Sequence, residues 1–256
     1  MIFYFSSTGN SKALAQELSR HLDDEVVSIS PLRNYAGLKF DKHETIGFVF
    51  PVYAWNVPII VEKFIAAMAD SNISGKYIYA AMTCGDDVGM IDKQLNRLFK
   101  QSAIKCDAFF SVCMPNTYVC LPGFDVDKAP VEQEKLNSFH AETQRIALHV
   151  KKRESVTILK RGVFPYTKTY LLGKLFKTLL LTDKYFHTTS DCISCKKCVE
   201  VCPNNNISIG KNKPVWNQNC IGCLSCYHHC PVRAIRFGKF TEHKGQYCFT
   251  PSKLTR

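Results

Sequence analysis

No stretch of the 256-residue chain reaches the roughly 20 consecutive apolar residues that a membrane-spanning helix needs. The nearest approach, Tyr170 to Leu181, is broken by Lys174 and Lys177. The opening Met1-Ile2-Phe3-Tyr4-Phe5 is too short for a secretory signal and runs straight into a polar turn, so a secreted product is not expected. The chain lacks G-x-x-x-x-G-K-[ST], which argues against nucleoside triphosphate hydrolysis, and lacks G-x-G-x-x-G, the dinucleotide fingerprint. Acid is scarce in the second half. Residues 155–256 hold 16 Lys/Arg against 4 Asp/Glu, whereas residues 1–154 hold 17 against 18. A basic half suggests nucleic acid, an anionic surface or an acidic partner. With no recognition motif and no interleaving of aromatics with the bases, nucleic acid is not expected.

What the chain has in plenty is cysteine. Of 13, eight fall between Cys192 and Cys230. A disulfide framework would spread them through a short secreted chain, so a reducing cytoplasm and metal sites fit better. The eight form a repeat. Cys192-Ile-Ser-Cys195-Lys-Lys-Cys198-Val-Glu-Val-Cys202-Pro203 returns 28 residues later as Cys220-Ile-Gly-Cys223-Leu-Ser-Cys226-Tyr-His-His-Cys230-Pro231. Both read C-x₂-C-x₂-C-x₃-C-P. Two-residue gaps let three thiolates wrap three irons of one cubane, and the fourth cysteine, followed by proline, faces the other cluster. The expected ligand sets are therefore Cys192, Cys195, Cys198 and Cys230 for cluster I, and Cys220, Cys223, Cys226 and Cys202 for cluster II. Zinc prefers ligands in two C-x₂-C pairs, which two runs of four do not provide. The repeat resembles that of the two-cluster bacterial ferredoxins, which implies two [4Fe–4S] clusters and one-electron transfer. Each cluster with its four thiolates is a dianion, so two clusters lower the +12 of the second half to +8. The remaining positive charge is expected to raise the cluster potentials. Of the other cysteines, Cys84, Cys106, Cys113, Cys120 and Cys248 read as small buried hydrophobes, with Cys84 singled out by its place in a candidate site.

The first 150 residues alternate strand and helix patterns. Strands are expected at 2–5, 26–29, 45–52, 77–83 and 108–114, with helices at 11–22, 59–69, 88–100 and 130–153. This implies an α/β fold with a doubly wound parallel sheet, whose ligands lie at the carboxyl ends of the strands near the topological switch point. After the first strand, Ser6, Ser7, Thr8, Gly9, Asn10 and Ser11 bring hydroxyls and backbone N–H groups to a helix amino terminus, a site for a phosphate monoester. This loop resembles the phosphate loop of the flavodoxins, S/T-x-T-G-N-T/S. The resemblance implies FMN and a short-chain, five-stranded sheet of order 2-1-3-4-5. It implies further flavin-binding positions after the third strand at Pro51, Tyr53, Ala54, Trp55 and Asn56, with Tyr53 and Trp55 as the stacking aromatics. It also implies positions after the fourth strand at Thr83, Cys84, Gly85 and Asp86, and after the fifth at Asn116 and Tyr118.

The expected organisation is a flavodoxin-like FMN-binding domain at 1–154 and a basic, partly helical connector at 155–187. A smaller α+β bacterial-type ferredoxin domain follows at 188–240, then a basic tail at 241–256 with no assigned role. The stretches Ile207–Ile209 and Ala234–Phe237 are expected as short paired strands. The connector helix, 168–184, is expected to pack on a domain, the alternative being peripheral membrane contact or partner docking. The whole resembles flavodoxin–ferredoxin fusion proteins. The implied function is electron transfer between FMN, the clusters and a partner protein, with a flavoenzyme reducing a small organic acceptor as the alternative. No catalytic residue is singled out.

Overall fold

The computed structural model describes residues 1–29, 40–69, 73, 75–179 and 181–254. Six parallel strands form one sheet in the order β2-β1-β3-β4-β5-β6. They are β1 Ile2–Tyr4, β2 Val26–Ser28, β3 Thr45–Pro51, β4 Tyr77–Cys84, β5 Ala108–Cys113 and β6 Thr157–Ile158. The five expected strands are present in the expected order. The sixth, β6, comes from the connector and pairs Thr157 and Ile158 with Phe109 and Phe110 of β5. Every residue of β4 is buried, as a central strand covered on both faces requires.

Helices cover both faces. α1 (Asn10–Leu22) and α4 (Ala129–Lys151) pack on one, burying Leu14, Leu18, Leu136 and Phe139 with Ile2, Tyr79 and Phe110. α2 (Ile59–Ala67) and α3 (Ile91–Gln101) cover the other around Phe3, Phe48 and Phe50. α3 begins three residues after the expected Val88 because Gly89 takes φ +57, a left-handed conformation that a helix cannot propagate through. β1 lies between β2 and β3, so consecutive crossovers leave it on opposite sides and open a crevice at its carboxyl end.

The connector packs on the flavodoxin-like domain. A π-helical turn, Thr167–Leu172, runs into α5, Gly173–Leu179. Position 180, inside the expected helix, lies outside the described residues, as do 255 and 256 of the tail. Thr169 and Gly173 are buried, and three ion pairs reach across from the connector: Arg161 to Asp92, Lys168 to Asp87 and Lys177 to Glu62. Its outer side stays apolar, with Phe164 77% and Leu171 63% exposed. Among the described residues no helix is long and apolar enough to cross a membrane.

The cysteine repeat folds into a small unit with β7 Phe186–Thr188, α6 Lys197–Glu200, β8 Ile207–Gly210, β9 Lys213–Trp216, α7 Ser225–His228 and β10 Ile235–Phe237. The two stretches expected as strands do form strands, but with separate partners. β8 closes a hairpin with β9, and β10 pairs antiparallel with β7 from the end of the connector. Each half thus carries its own two-stranded ribbon.

The tail returns to the start of the chain. The Phe249 N–H donates to the Thr8 carbonyl at 2.8 Å, and the Tyr247 hydroxyl donates to Asn10 Oδ1 at 3.1 Å. Lys253 pairs with Glu132 on α4 and lies 4.1 Å from the centre of the Tyr247 ring.

Candidate functional site

The crevice at the carboxyl ends of β1, β3, β4 and β5 opens into a cavity of about 460 Å³, within the range of small-molecule cofactor sites. Its walls take Ser6, Ser7, Thr8, Asn10 and Ser11 from the first loop, and Pro51, Tyr53, Ala54 and Trp55 from the second. Thr83, Cys84, Gly85 and Asp86 follow from the third, and Asn116 and Tyr118 from the fourth. Four segments widely separated in sequence, each expected to bind flavin, thus meet around one space.

Two expected residues do not line it. Gly9 is the turn itself, at φ +101, and a Cβ there would press on Phe249. Asn56 is spent on structure: its amide donates to the Ala54 carbonyl at 2.6 Å and its Oδ1 accepts from Gln94 at 2.7 Å. These bonds shape the sharp loop in which Ala54 and Trp55 have φ +45 and +59. Asn10 and Ser11, though on the wall, also hold the loop in place. Asn10 donates to the Pro115 carbonyl at 2.9 Å, and the Ser11 hydroxyl lies 2.7 Å from that of Thr83.

Both stacking candidates face the cavity. Tyr53 donates to Ser7 Oγ at 3.0 Å and packs edge-on against Phe5. Burial, reinforced by the nearby Cys223, pushes its phenol well above the ordinary value, so it remains a hydrogen-bond donor. Trp55 has the Lys168 ammonium 5.6 Å from its ring centre. Tyr118, flanked edge-on by Phe124 and Phe176, carries a buried hydroxyl with no hydrogen-bond partner. Buried hydroxyls are rarely left unpaired, so this orphan in the cavity wall fits a polar ligand in the space.

Part of the remaining wall comes from outside the flavodoxin-like half, where nothing local in the sequence announces it. Lys168 and Phe176 of the connector close one side, and Gly222, Cys223 and Leu224 of the second cysteine run close another. Ile221 goes further and inserts into the apolar core on the α2/α3 face. Ser225 Oγ donates to the Ser7 carbonyl at 3.0 Å. His228, buried, donates from Nε2 to the Thr117 carbonyl at 2.7 Å and accepts the Tyr247 N–H at 3.2 Å on Nδ1, which defines its neutral tautomer.

The eight repeat cysteines surround two smaller cavities in two sets of four. One is walled by Cys192, Cys195, Cys198 and Cys230, the other by Cys202, Cys220, Cys223 and Cys226. These are the interleaved sets the spacing predicts. Among the described residues no three His, Cys, Asp or Glu side chains converge as the ligands of a single ion would. The thiols instead stand around voids, as the corners of a cubane demand.

The backbone repeats as well. Ser194 and Gly222, Lys196 and Leu224, and Asn205 and Arg233 occupy equivalent places in the two runs, and all six have φ between +48 and +68. Such turns point successive N–H groups inward as an anion nest. The N–H groups of Asn206 and Ala234 each donate to the sulfur four residues earlier, Cys202 and Cys230, at 3.2 Å. The Trp216 indole N–H is buried without a partner beside Cys226, whose thiol it pulls down against the stronger upward push of burial. That donor fits a cluster sulfur. Burial raises Cys223 to about 12 and Cys220 to about 11, so near neutral pH these thiols stay protonated unless a bound cation stabilises the thiolate.

A doubly wound sheet with a phosphate-type loop at its switch point, joined to two interleaved thiol cages, defines a redox protein of the flavodoxin class with an iron–sulfur module attached. Residues 1–111 match the family model of the flavodoxin domain and residues 191–235 that of the 4Fe-4S dicluster domain. The chain is a flavodoxin–ferredoxin fusion, an electron-transfer protein whose cofactors are FMN and two [4Fe–4S] clusters.

Solved structures similar to it include the flavodoxin of Streptococcus pneumoniae TIGR4, 17% identical, covering 57% of this chain and 97% of its own, with a TM-score of 0.36. The Fusobacterium nucleatum flavodoxin bound to flavin mononucleotide is 13% identical, covering 60% and 96%, with a TM-score of 0.39. A flavodoxin, WrbA-like protein from Agrobacterium tumefaciens is 13% identical, covering 60% and 97%, with a TM-score of 0.39. No curated protein matches the chain.

Proposed function

We propose that the chain conducts electrons between FMN in the 460 Å³ cavity and an external protein partner, through cluster II and then cluster I. The observation that carries this reading is the double position of Cys223, which lines both the flavin cavity and the cage of cluster II. A residue shared by the two walls sets the two cavities side by side. FMN supplies exchange between one- and two-electron chemistry, and each cluster carries single electrons.

The chain's own groups divide the work. The first loop would take the phosphate on backbone N–H groups and hydroxyls, Tyr53 and Trp55 would bracket the ring, and Tyr118 would donate its unpaired hydroxyl. The nests and N–H···S bonds would stabilise the cluster charge.

Cluster I is the outward end. Cys195 is exposed in its cage and Ile193 is 62% exposed beside it. Lys196, Lys211, Lys213 and Arg233 stand exposed around this face, against Asp191 and Glu200. The excess of bases suits an acidic partner. A cavity roofed by the chain's own Lys168, Phe176 and Leu224 supports a carrier over a flavoenzyme acting on a small organic acceptor. The domain division at 154, 187 and 240 is retained with two changes: the connector donates β6 and β7 to its neighbours, and the tail belongs structurally to the flavin site. A thiol-rich protein of this kind would work in a reducing, cytoplasm-like compartment.

The test is photoreduction of the flavin in the anaerobic holoprotein, followed by absorbance of flavin and clusters. Transfer within one molecule gives cluster bleaching at a rate independent of protein concentration. A rate proportional to concentration would remove the proposed route.

A further inference from the structure

Cys84 and Cys113 end the adjacent strands β4 and β5, where they are register partners. Their sulfurs lie 3.9 Å apart. Neighbouring strands run about 4.8 Å apart, and a disulfide accepts Cα separations of about 4.4 to 6.8 Å, so side-chain rotation alone can bring the sulfurs to bonding distance.

We propose that Cys84 and Cys113 form a redox-active dithiol in the wall of the flavin cavity, which closes to a disulfide by exchange with a low-molecular-weight disulfide. Neither residue belongs to a cluster cage, and neither is required by the electron route above.

The two thiols are unlike in a way that assigns their roles. Cys84 is only 6% exposed and lines the cavity. Cys113 is half-buried, and its sulfur lies 3.4 Å from the Asp86 carbonyl. Charged groups from each neighbouring segment surround the two thiols and Lys160. Lys160 stands just beyond β6, its N–H held by Ser111 Oγ at 2.8 Å; Asp86 and Asp87 follow β4; Glu142 lies on α4. The thiol proton that Cys84 shares toward Cys113, together with the Lys160 ammonium, outweighs burial and lowers Cys113 to about 7. The same shared proton, and then burial, push Cys84 well up. The outer sulfur is therefore the nucleophile and the inner one resolves.

The exchange balances in two steps. The Cys113 thiolate attacks one sulfur of R–S–S–R, the S–S bond breaks, and the first RS⁻ leaves and takes up a proton from water. Cys84 then gives its proton to solvent and attacks the Cys113 sulfur of the mixed disulfide, expelling the second RS⁻. Two protein thiols are oxidised to one disulfide, and R–S–S–R is reduced to two RSH. The new bond would fix the residue immediately before Gly85 and Asp86, both in the cavity wall.

The test uses the anaerobic holoprotein with both clusters loaded, exposed to oxidised glutathione, quenched by alkylation in acid and mapped by peptide mass. A linked Cys84–Cys113 peptide is expected with iron content unchanged. Cys84→Ser should trap glutathione on Cys113, and Cys113→Ser should carry none at Cys84. In separate samples the rate of iodoacetamide reaction at Cys113 should rise through about pH 7, and that midpoint should move upward in Cys84→Ala, which removes the shared proton. Cys106, half-buried like Cys113 but with its thiol bonded to the Ile78 and Ala108 carbonyls and pushed well up by desolvation, is the unreactive control. Absence of the linked peptide, or a Cys113 no more reactive than Cys106, would overturn the proposal.

Discussion

The Ser225 hydroxyl donates a 3.0 Å hydrogen bond to the backbone carbonyl of Ser7, and so ties the turn around cluster II to the first loop of the flavin cavity. Ser225 directly precedes Cys226 in the wall of the second cysteine cage, and Ser7 follows β1, 218 positions away. One bond therefore couples the geometry of an inorganic site to that of an organic one. Ser225→Ala should cost about 1 kcal/mol of this coupling. The expected result is FMN affinity weaker by about five-fold, with iron content unchanged, checked by flavin fluorescence titration and an iron assay.

Removal of iron should reach the flavin. Gly222, Cys223 and Leu224 line the cavity, and Ile221 is part of the α2/α3-face core. Small units built around metal cages generally fold with their metal, so chelation under anaerobic conditions should withdraw that wall. FMN retained on gel filtration should fall in step with iron. Full retention of FMN by the iron-free protein would show that this wall is dispensable.

Trp216→Phe isolates the indole donor. The ring stacks on Phe186 at 5.4 Å, a contact that phenylalanine largely preserves, while the N–H beside Cys226 is lost. A donor to a cluster sulfur stabilises the reduced, more negative state. About 1 kcal/mol corresponds to about 40 mV for one electron, so the cluster II potential should drop by that order. Redox titration followed by electron paramagnetic resonance reads the shift, and cluster I should not move.

Gly173→Ala probes the roof. A Cβ at Gly173 would meet the Ala54 carbonyl at 2.7 Å and the Asn56 amide. Neither can yield easily, because Asn56 is held by Ala54 and Gln94. The connector should lift, at a cost of about 1–3 kcal/mol. Faster FMN dissociation and quicker proteolysis near Phe164 are the expected readouts.

Which four cysteines gather around each small cavity was legible in the spacing of the repeat, a pattern contained within a dozen residues. The sheet order and the four cavity loops were likewise legible, since burial on both faces leaves unbroken apolar runs such as Ile46 to Phe50. What stayed hidden depends on contacts between distant segments. Nothing local to Lys168 announces Asp87, 81 positions earlier, and nothing in a basic tail announces that Tyr247 meets Asn10. The expected flavin ligand Asn56 shows the opposite limit: its residue type suited the site, but a tight turn claimed its side chain. The start of α3 was misplaced because Val88 continues the apolar spacing while Gly89 breaks the backbone.

The return of the tail to the first loop also orders the protein's birth. Asn10 leaves the ribosome 237 residues before Tyr247. The flavin loop therefore spends most of translation without the strap that completes it. The contact that fixes the Asn10 side chain therefore becomes available only after the cysteine repeat, residues 192–230, has been made, so the first loop of the chain is among the last to be completed.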